Sequence, residues 1–451
     1  MLRADKLDEH AAVLAYHWEA AGDALVAARW HRRAADWAGV TDAPGALRHW
    51  RKVHDLARGA PKSTETTELG LRASTGMLNL GWRVGMSVPE AEALLAEARD
   101  LAAGPESARL LAPVVQSYGA IRGFGGDLKE YFDRGREAVA LADASGDTGL
   151  RVATRVSLAV VYNFWGDMRA AVEVSERAIE LAGGDARIGG ELFGFFPYPW
   201  HVLSRGGDLG EMGRLEEAER ALEHAVELTR TLNDVEAMCW ASNNRSTLAS
   251  LRGDTRTALA HASRAFQIAE SAGTAFNRVW ARLVLGSAQV LDEQWESAVE
   301  TLEQSLAIAG EARTGVFYRA STLAELSRAF LGLGDGPRAR ATAEEAVAAA
   351  AQHGTRLYAI YANLALAQAL LGTDGTAARD AIEAALVTAA TLVEETGARG
   401  RLPFVHVGRA ELARLTGDRP ARERELREAR RLFAEMGAAA RAEQVARELA
   451  G

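Results

Sequence analysis

The chain is predicted to be all-α, a solenoid of antiparallel helix pairs, and three observations carry that prediction. Small residues recur at Ala138, Ala178, Ala225, Ala265, Ser305, Ala346, Ala385 and Ala429, in steps of 40, 47, 40, 40, 41, 39 and 44. Nineteen residues before each stand Gly119, Ala159, Gly206, Ser246, Gly286, Ser327, Leu366 and Ala410, all small except Leu366. A fixed offset inside a period of about 40 marks a repeat array. The small residues are what two helices need where their backbones cross closely. Finally, no strand-like alternation is sustained anywhere, whereas apolar residues recur at three- and four-residue spacing.

The elements follow in order. Helices are expected at 8–21, 23–38, 43–58, 64–83 and 89–103, the last with Pro89 at a first-turn position that needs no amide hydrogen. Ala15 and Ala34 are again 19 apart, so residues 1–104 read as irregular helical repeats. From 105 to 437 eight regular repeats are expected. In GLRVATRVSLAVVYNFWGDMRAAVEVSERAIELA (149–182) two amphipathic stretches flank Gly166-Asp167. Glycine there suits a left-handed helix end, and aspartate caps the next helix. The same break recurs at Gly126-Asp127, Gly253-Asp254, Gly334-Asp335 and Gly417-Asp418. The 47-residue step carries an insertion in GGDARIGGELFGFFPYPW (183–200). Residues 438–451 supply one polar helix, as the end of a solenoid requires.

Composition narrows the function. The 451 residues are 48 % hydrophobic and 25 % charged, ordinary for a soluble protein. A net charge of −9 argues against a nucleic-acid partner, which calls for a basic excess. No uncharged apolar stretch is long enough to span a membrane, and MLRADKLDEHAAVL has no signal-peptide core. The expected location is cytoplasmic, and a single cysteine, Cys239, fits a reducing compartment.

The combination of a small residue in the first helix of each pair (helix A), Gly near the turn and Ala-x6-Ala in the second (helix B) resembles the tetratricopeptide repeat. Ala171 and Ala178, Ala218 and Ala225, Ala258 and Ala265, and Ala339 and Ala346 fit, and GRLEEAERALEHAVEL (213–228) fits best. The period exceeds the usual 34, so the chain resembles the long-helix variants of bacterial signalling proteins. That resemblance implies a right-handed superhelix with a concave face built by the A helices.

The opening LDEHAAVLAYHWEAAGDALVAARWHRRAADWAG (7–39) resembles the segment behind the ATPase module of regulators that join a class III nucleotide cyclase, an AAA/STAND-type ATPase and a tetratricopeptide tail. GMLNLGWRVG (76–85), WHVLSRGGDLGEMGRLEEAE (200–219) and LFAEMGAAARAEQVARELA (432–450) are similar to that tail, and LuxR-type activators share its style. The catalytic parts of those regulators are missing. GxxxxGK[ST] is absent, so no loop cradles phosphates, and no paired-aspartate strand is found. LTGDRPARERELREARRL (415–432) occupies a repeat's place and leads to no recognition helix.

Few residues carry chemistry. His10 and His17 lie seven apart without a third ligand, and HExxH is absent, so no metal and no cofactor are expected. Cys239 has no nameable base. Trp200, Trp240 and Trp280, each six before Gly206, Ser246 and Gly286, are either repeat-to-repeat core or an aromatic ladder on the concave face. Asn163, Asn243 and Asn363 on A helices either hold a peptide backbone or are solvated or cap helix ends. Arg155 and Arg282, four before small residues, suit a carboxylate. Phe195, Phe196 and Tyr198 of the insertion form an interface or a rigid plug. The expected function is a non-catalytic scaffold or sensor binding a protein, peptide or small ligand on its concave face. The alternative is the ligand-sensing part of a transcription activator whose DNA-binding domain lies elsewhere.

Overall fold

The computed structural model describes residues 7–102 and 108–450. Five helices come first: α1 (Ala11–Ala20), α2 (Ala24–Ala38), α3 (Ala43–Gly59), α4 (Thr64–Val84) and α5 (Val88–Leu101). Pairs then succeed one another: α6 (Ala108–Phe124) with α7 (Leu128–Ser145), and α8 (Thr148–Trp165) with α9 (Met168–Ala182). The insertion contributes the single turn α10 (Gly190–Phe193). After it come α11 (Pro197–Glu211) with α12 (Leu215–Leu232), α13 (Val235–Arg252) with α14 (Thr255–Ala272), and α15 (Ala275–Leu291) with α16 (Trp295–Ala312). The array closes with α17 (Arg319–Gly332) and α18 (Gly336–His353), α19 (Arg356–Thr373) and α20 (Arg379–Thr396), α21 (Leu402–Leu415) and α22 (Arg419–Glu435), then α23 (Ala439–Ala450). No strand occurs among the described residues. The fold is an all-α solenoid.

The turns form as their residues dictate. Gly166 ends α8 at φ +79°, where an L side chain is strained, and the Asp167 amide donates back to the Tyr162 carbonyl at 2.8 Å. The Asp167 carboxylate then accepts from the Ala170 amide at 3.0 Å, capping α9. Asp127, Asp254, Asp335 and Asp418 cap their helices in the same way. Within pairs the small residues mark close crossings. A Cβ on Gly286 would stand 2.5 Å from Leu302 Cδ2, and one on Gly119 2.8 Å from Arg134 Cβ. The Ser246 and Ser327 hydroxyls reach across to the Ala258 and Ala339 carbonyls at 2.9 and 2.7 Å. At Leu366 the register shifts by one. Leu366 is half-buried while Ala367 is buried, twelve residues past the Thr355 cap as Ser246 is past Asp234 and Gly286 past Thr274.

The sequence pattern does not announce how tightly the solenoid winds. The end of α4 lies against the α16–α17 turn: the Thr314 hydroxyl donates to the Trp82 carbonyl at 2.7 Å. A Cβ on Gly85, itself at φ +92°, would fall 2.0 Å from the Ala312 carbonyl oxygen. Arg83 and Glu236 form an ion pair between α4 and α13, their side chains 0 % and 3 % exposed. Farther along, Arg441 of α23 donates to the Ser250 carbonyl of α13, and Gly400 sits against the Glu211 carbonyl of α11. One turn of the superhelix is thus stacked on the next, and the concave face becomes the wall of an axial cavity.

Candidate functional site

The axial cavity holds about 300 Å³. Its wall is drawn almost wholly from A helices, from α4 and α6 through α21, with α23 and a 3₁₀ turn at Arg399–Arg401 closing one side. Each A helix turns one stripe inward. On α19 that stripe is Tyr361, Leu364, Ala365 and Gln368, the three- and four-residue spacing of one helical face.

Aromatic rings dominate the wall. Where helices of successive turns abut, Phe124, Phe164, Phe317, Tyr318 and Tyr358 form a chain, with Phe164 and Phe317 centroids 3.9 Å apart and Tyr318 and Tyr358 5.8 Å apart. Trp280 stacks on Tyr318 at 5.9 Å with 19° between planes, and Trp82 on Phe124 at 4.7 Å.

The sequence candidates divide. Trp200, Trp240 and Trp280 all reach the wall, on α11, α13 and α15. They are not equivalent. Trp240 is 3 % exposed and its indole donates to Asn277 Oδ1 at 2.7 Å, whereas Trp200 and Trp280 are only half-buried. The two readings of the row, core and ladder, therefore coexist in one row. Phe195 also reaches the cavity, edge-on to Trp240 at 6.2 Å. Phe196 does not: it sits under Arg187 and against Gly190 inside the insertion. Tyr198 packs beside His224 of α12. Phe193, Phe195 and Tyr198 of the insertion are buried, and the Asn79 amide of α4 donates to the Phe193 carbonyl. Phe193 and Asn79 border both the axial cavity and a second one of about 500 Å³ next to the N-terminal helices.

Of the asparagines, Asn163 lines the cavity. Asn243 and Asn363 do not. Asn243 is fully buried with its amide unpartnered, which nothing in the structure explains, and the inward residue is its neighbour Asn244. Asn363 lies off the inward stripe and donates to its own helix at Ala359. Arg155 and Arg282 are engaged within the chain, by Asp143 and Glu270. Glu270, held between Arg278 and Arg282, is drawn down to about 2. Cys239 donates to the Ala265 carbonyl, and burial pushes its thiol up to about 12.

One polar group was missed. Asp208 lies in the last turn of α11, 1 % exposed, on the cavity wall. Asn163 donates to its Oδ1, while Oδ2 has no partner. Burial raises its acid to about 7, with Glu211 adding to the push. The signal was present as an acid at positions 208 and 211 of GGDLGE, inside a helix of otherwise small and apolar inward residues. Beside it, Glu211 accepts from both Arg401 Nε and Nη2, at 2.9 and 2.7 Å, and from the Tyr361 hydroxyl at 2.7 Å.

Comparison with known proteins agrees with this architecture. A tetratricopeptide-repeat family model matches residues 153–185, and that of anaphase-promoting complex subunit 5 matches 200–250 and 283–359. The chain carries tetratricopeptide-like repeats. No curated protein sequence matches it significantly. Among solved structures, a Rap protein complexed with competence and sporulation factor has a TM-score of 0.54 at 14 % identity, over 95 % of this chain and 99 % of its own. The apo form of RapI gives 0.47 at 11 %, over 79 % and 94 %. A STAND protein with a tetratricopeptide repeat sensor from Pyrococcus horikoshii gives 0.44 at 13 %, over 97 % and 74 %. The first of these shows a shared fold.

Proposed function

We propose that this chain is a non-catalytic ligand sensor whose axial cavity receives a small molecule or a few residues of a peptide. The observation that carries this reading is the cavity itself, an aromatic-walled space with a few buried polar groups converging on it, which is the composition of ligand pockets. At about 300 Å³ it lies at the small end of the usual range of roughly 300–1,000 Å³, so it suits a compact ligand better than the long apolar segment a tryptophan ladder alone would favour. From the Rap protein of like fold we carry over only the idea of a signalling ligand. The mechanism follows from the winding. The wall includes helices of two successive turns, so a bound ligand bridges the seam between them. Each pair otherwise contacts its neighbours, so a small rotation at the seam adds along the array.

We further propose that the chain works as the sensing tail of a cyclase/STAND-ATPase-type regulator, in the cytoplasm. The support is the 7–39 segment, which resembles the stretch behind the ATPase module. Its Tyr16, Trp18 and Trp37 are exposed by 68 %, 41 % and 60 %, aromatic surface that a preceding module would cover.

The test is a thermal-shift screen with short peptides and small metabolites, followed by hydrogen exchange on the hits. Protection of α8, α13, α15, α17 and α19, lost in Trp280→Ala, is the expected result. Hits that protect only the outer B helices would overturn the proposal.

A further inference from the structure

We infer that the cavity takes a zwitterionic ligand with an apolar body, a short apolar peptide with free ends, its ammonium group on Asp208 and its carboxylate on Arg441. This rests on the ligand-sensor reading above and deepens it.

The argument is a charge inventory. Six ionic side chains line the cavity: Asp208, Glu211, Glu325, Arg328, Arg401 and Arg441. Four are paired among themselves. Arg401 holds Glu211 in a two-toothed grip, and Arg328 Nη1 lies 3.0 Å from Glu325 Oε2. Asp208 and Arg441 are left, on α11 and α23, and neither has an ion-pair partner among the described residues. Each also keeps a donor or acceptor idle: Asp208 Oδ2 and Arg441 Nε are buried without a hydrogen-bond partner. Unpaired buried charges are costly, and two ionic side chains of opposite sign on one cavity wall, neither with an ion-pair partner, call for a ligand that supplies both complements. Between them the wall is aromatic. Tyr358 and Tyr361 flank the Asp208 side, and Phe404 lies under the Arg441 guanidinium at 5.4 Å. Ring faces favour an ammonium group and an apolar body alike. Gln116 Oε1 and Ser117 Oγ, also buried, unpartnered and on the wall, remain for the peptide amides.

The polar surroundings of Asp208 are Asn163 of α8, Asn244 of α13 beside Gly207, Glu211 of its own helix, Tyr358 and Tyr361 of α19, and Arg401 already bound to Glu211. None supplies a free positive charge. Burial holds the acid near 7, so an arriving ammonium group ionises it, and a proton leaves. Affinity should therefore rise about tenfold per pH unit from pH 5 to pH 7 and fall again above about pH 8, as the peptide's own α-ammonium loses its proton.

The probes are free-ended apolar di- and tripeptides, their N-acetyl and C-amide forms, and the doubly blocked forms, read by native mass spectrometry and tryptophan fluorescence on the full chain. Free-ended peptides should bind, and each block should weaken binding at least tenfold. Asp208→Asn should erase the N-acetyl penalty and the pH slope while keeping the amide penalty. Arg441→Gln should do the reverse. A variant that merely misfolds would lose every peptide alike, and circular dichroism identifies it; Asp208→Ser and Arg441→Met then repeat the comparison. Equal binding of free and doubly blocked peptides, still weakened by Trp280→Ala, would overturn the zwitterion inference and leave the sensor reading standing. Failure of every peptide to bind the folded wild type would overturn the inference outright, and the small-metabolite screen then decides the sensor reading separately.

Discussion

Asp208→Asn should stabilise the ligand-free protein at neutral and alkaline pH. An ordinary aspartate ionises near 3.8, whereas burial raises Asp208 to about 7. Between those values the folded state holds a proton that the unfolded state has released. The sign follows directly: a raised folded pKa gives stability that is complete below about 3.8 and is lost as pH rises toward 7. Roughly three pH units at 1.36 kcal/mol each set an upper figure of about 4 kcal/mol above pH 7. Water penetration and the Asn163 hydrogen bond reduce it, so about 2–4 kcal/mol is expected. Asparagine has the same shape as the protonated acid and never ionises, so the variant escapes this loss. The comparison is made by urea unfolding at pH 4, 6 and 8, with hydrogen exchange in α8 and α11 as a local reading, because a solenoid need not unfold in one step. The gap between variant and wild type should be near zero at pH 4 and widen steadily to pH 8. His201, buried and lowered to about 4, titrates identically in both proteins and cancels. A variant equally stable at every pH, or less stable at pH 8, would refute the reasoning.

Three further outcomes are expected. Gly286→Leu should cost about 1–3 kcal/mol by overpacking the crossing with Leu302; an unchanged unfolding midpoint would show that this crossing tolerates bulk. Arg83→Met leaves Glu236 buried without its partner and should cost about 3–5 kcal/mol, seen as faster hydrogen exchange in α4 and α13 by two orders of magnitude or more, whereas exchange within tenfold of wild type would mean the seam between turns does not depend on that pair. Trp240→Ala should cost about 3–5 kcal/mol, the usual figure for emptying a core aromatic, while Trp280→Ala, half-buried on the wall, should cost less stability and more ligand binding; equal losses of stability would place both tryptophans in the core.

The helices and crossings were legible because they rest on local rules. Amphipathic spacing, a glycine at φ +79° and a capping aspartate such as Asp167 each act within four residues, and a small residue at a crossing acts within one period. The offset of 19 marks which helices pair, but its two residues do not meet: Ser246 faces Ala258, and Ala265 faces Cys239. The orientation of each helix about its axis was harder. One residue is a turn of about 100°, and that separates Asn244, which faces the cavity, from Asn243, which does not.

The winding was not legible, for a physical reason that also explains why the site was only half seen. Contacts across the seam join residues far apart in sequence: Arg83 with Glu236, Trp82 with Thr314, Phe124 with Phe317. They obey no period, because the number of repeats per turn is set by small rotations that accumulate over many interfaces. A solenoid wound loosely would expose the Trp200–Trp240–Trp280 row as an open groove and invite a long segment. Wound as tightly as this one, it turns the same row into one wall of a cavity and brings α23 against α13, carrying Arg441 to the cavity that Asp208 faces. Ligand chemistry here thus depends on superhelical pitch: any change that opens the seam should separate the two unpaired charges and weaken a free-ended ligand before it disturbs a single helix. Arg83→Met tests this, since it loosens the seam at a position that touches neither Asp208 nor Arg441. Loss of discrimination between free and blocked peptides in that variant, with helix content unchanged, is the expected result, and full discrimination despite accelerated exchange at α4 and α13 would uncouple pitch from recognition.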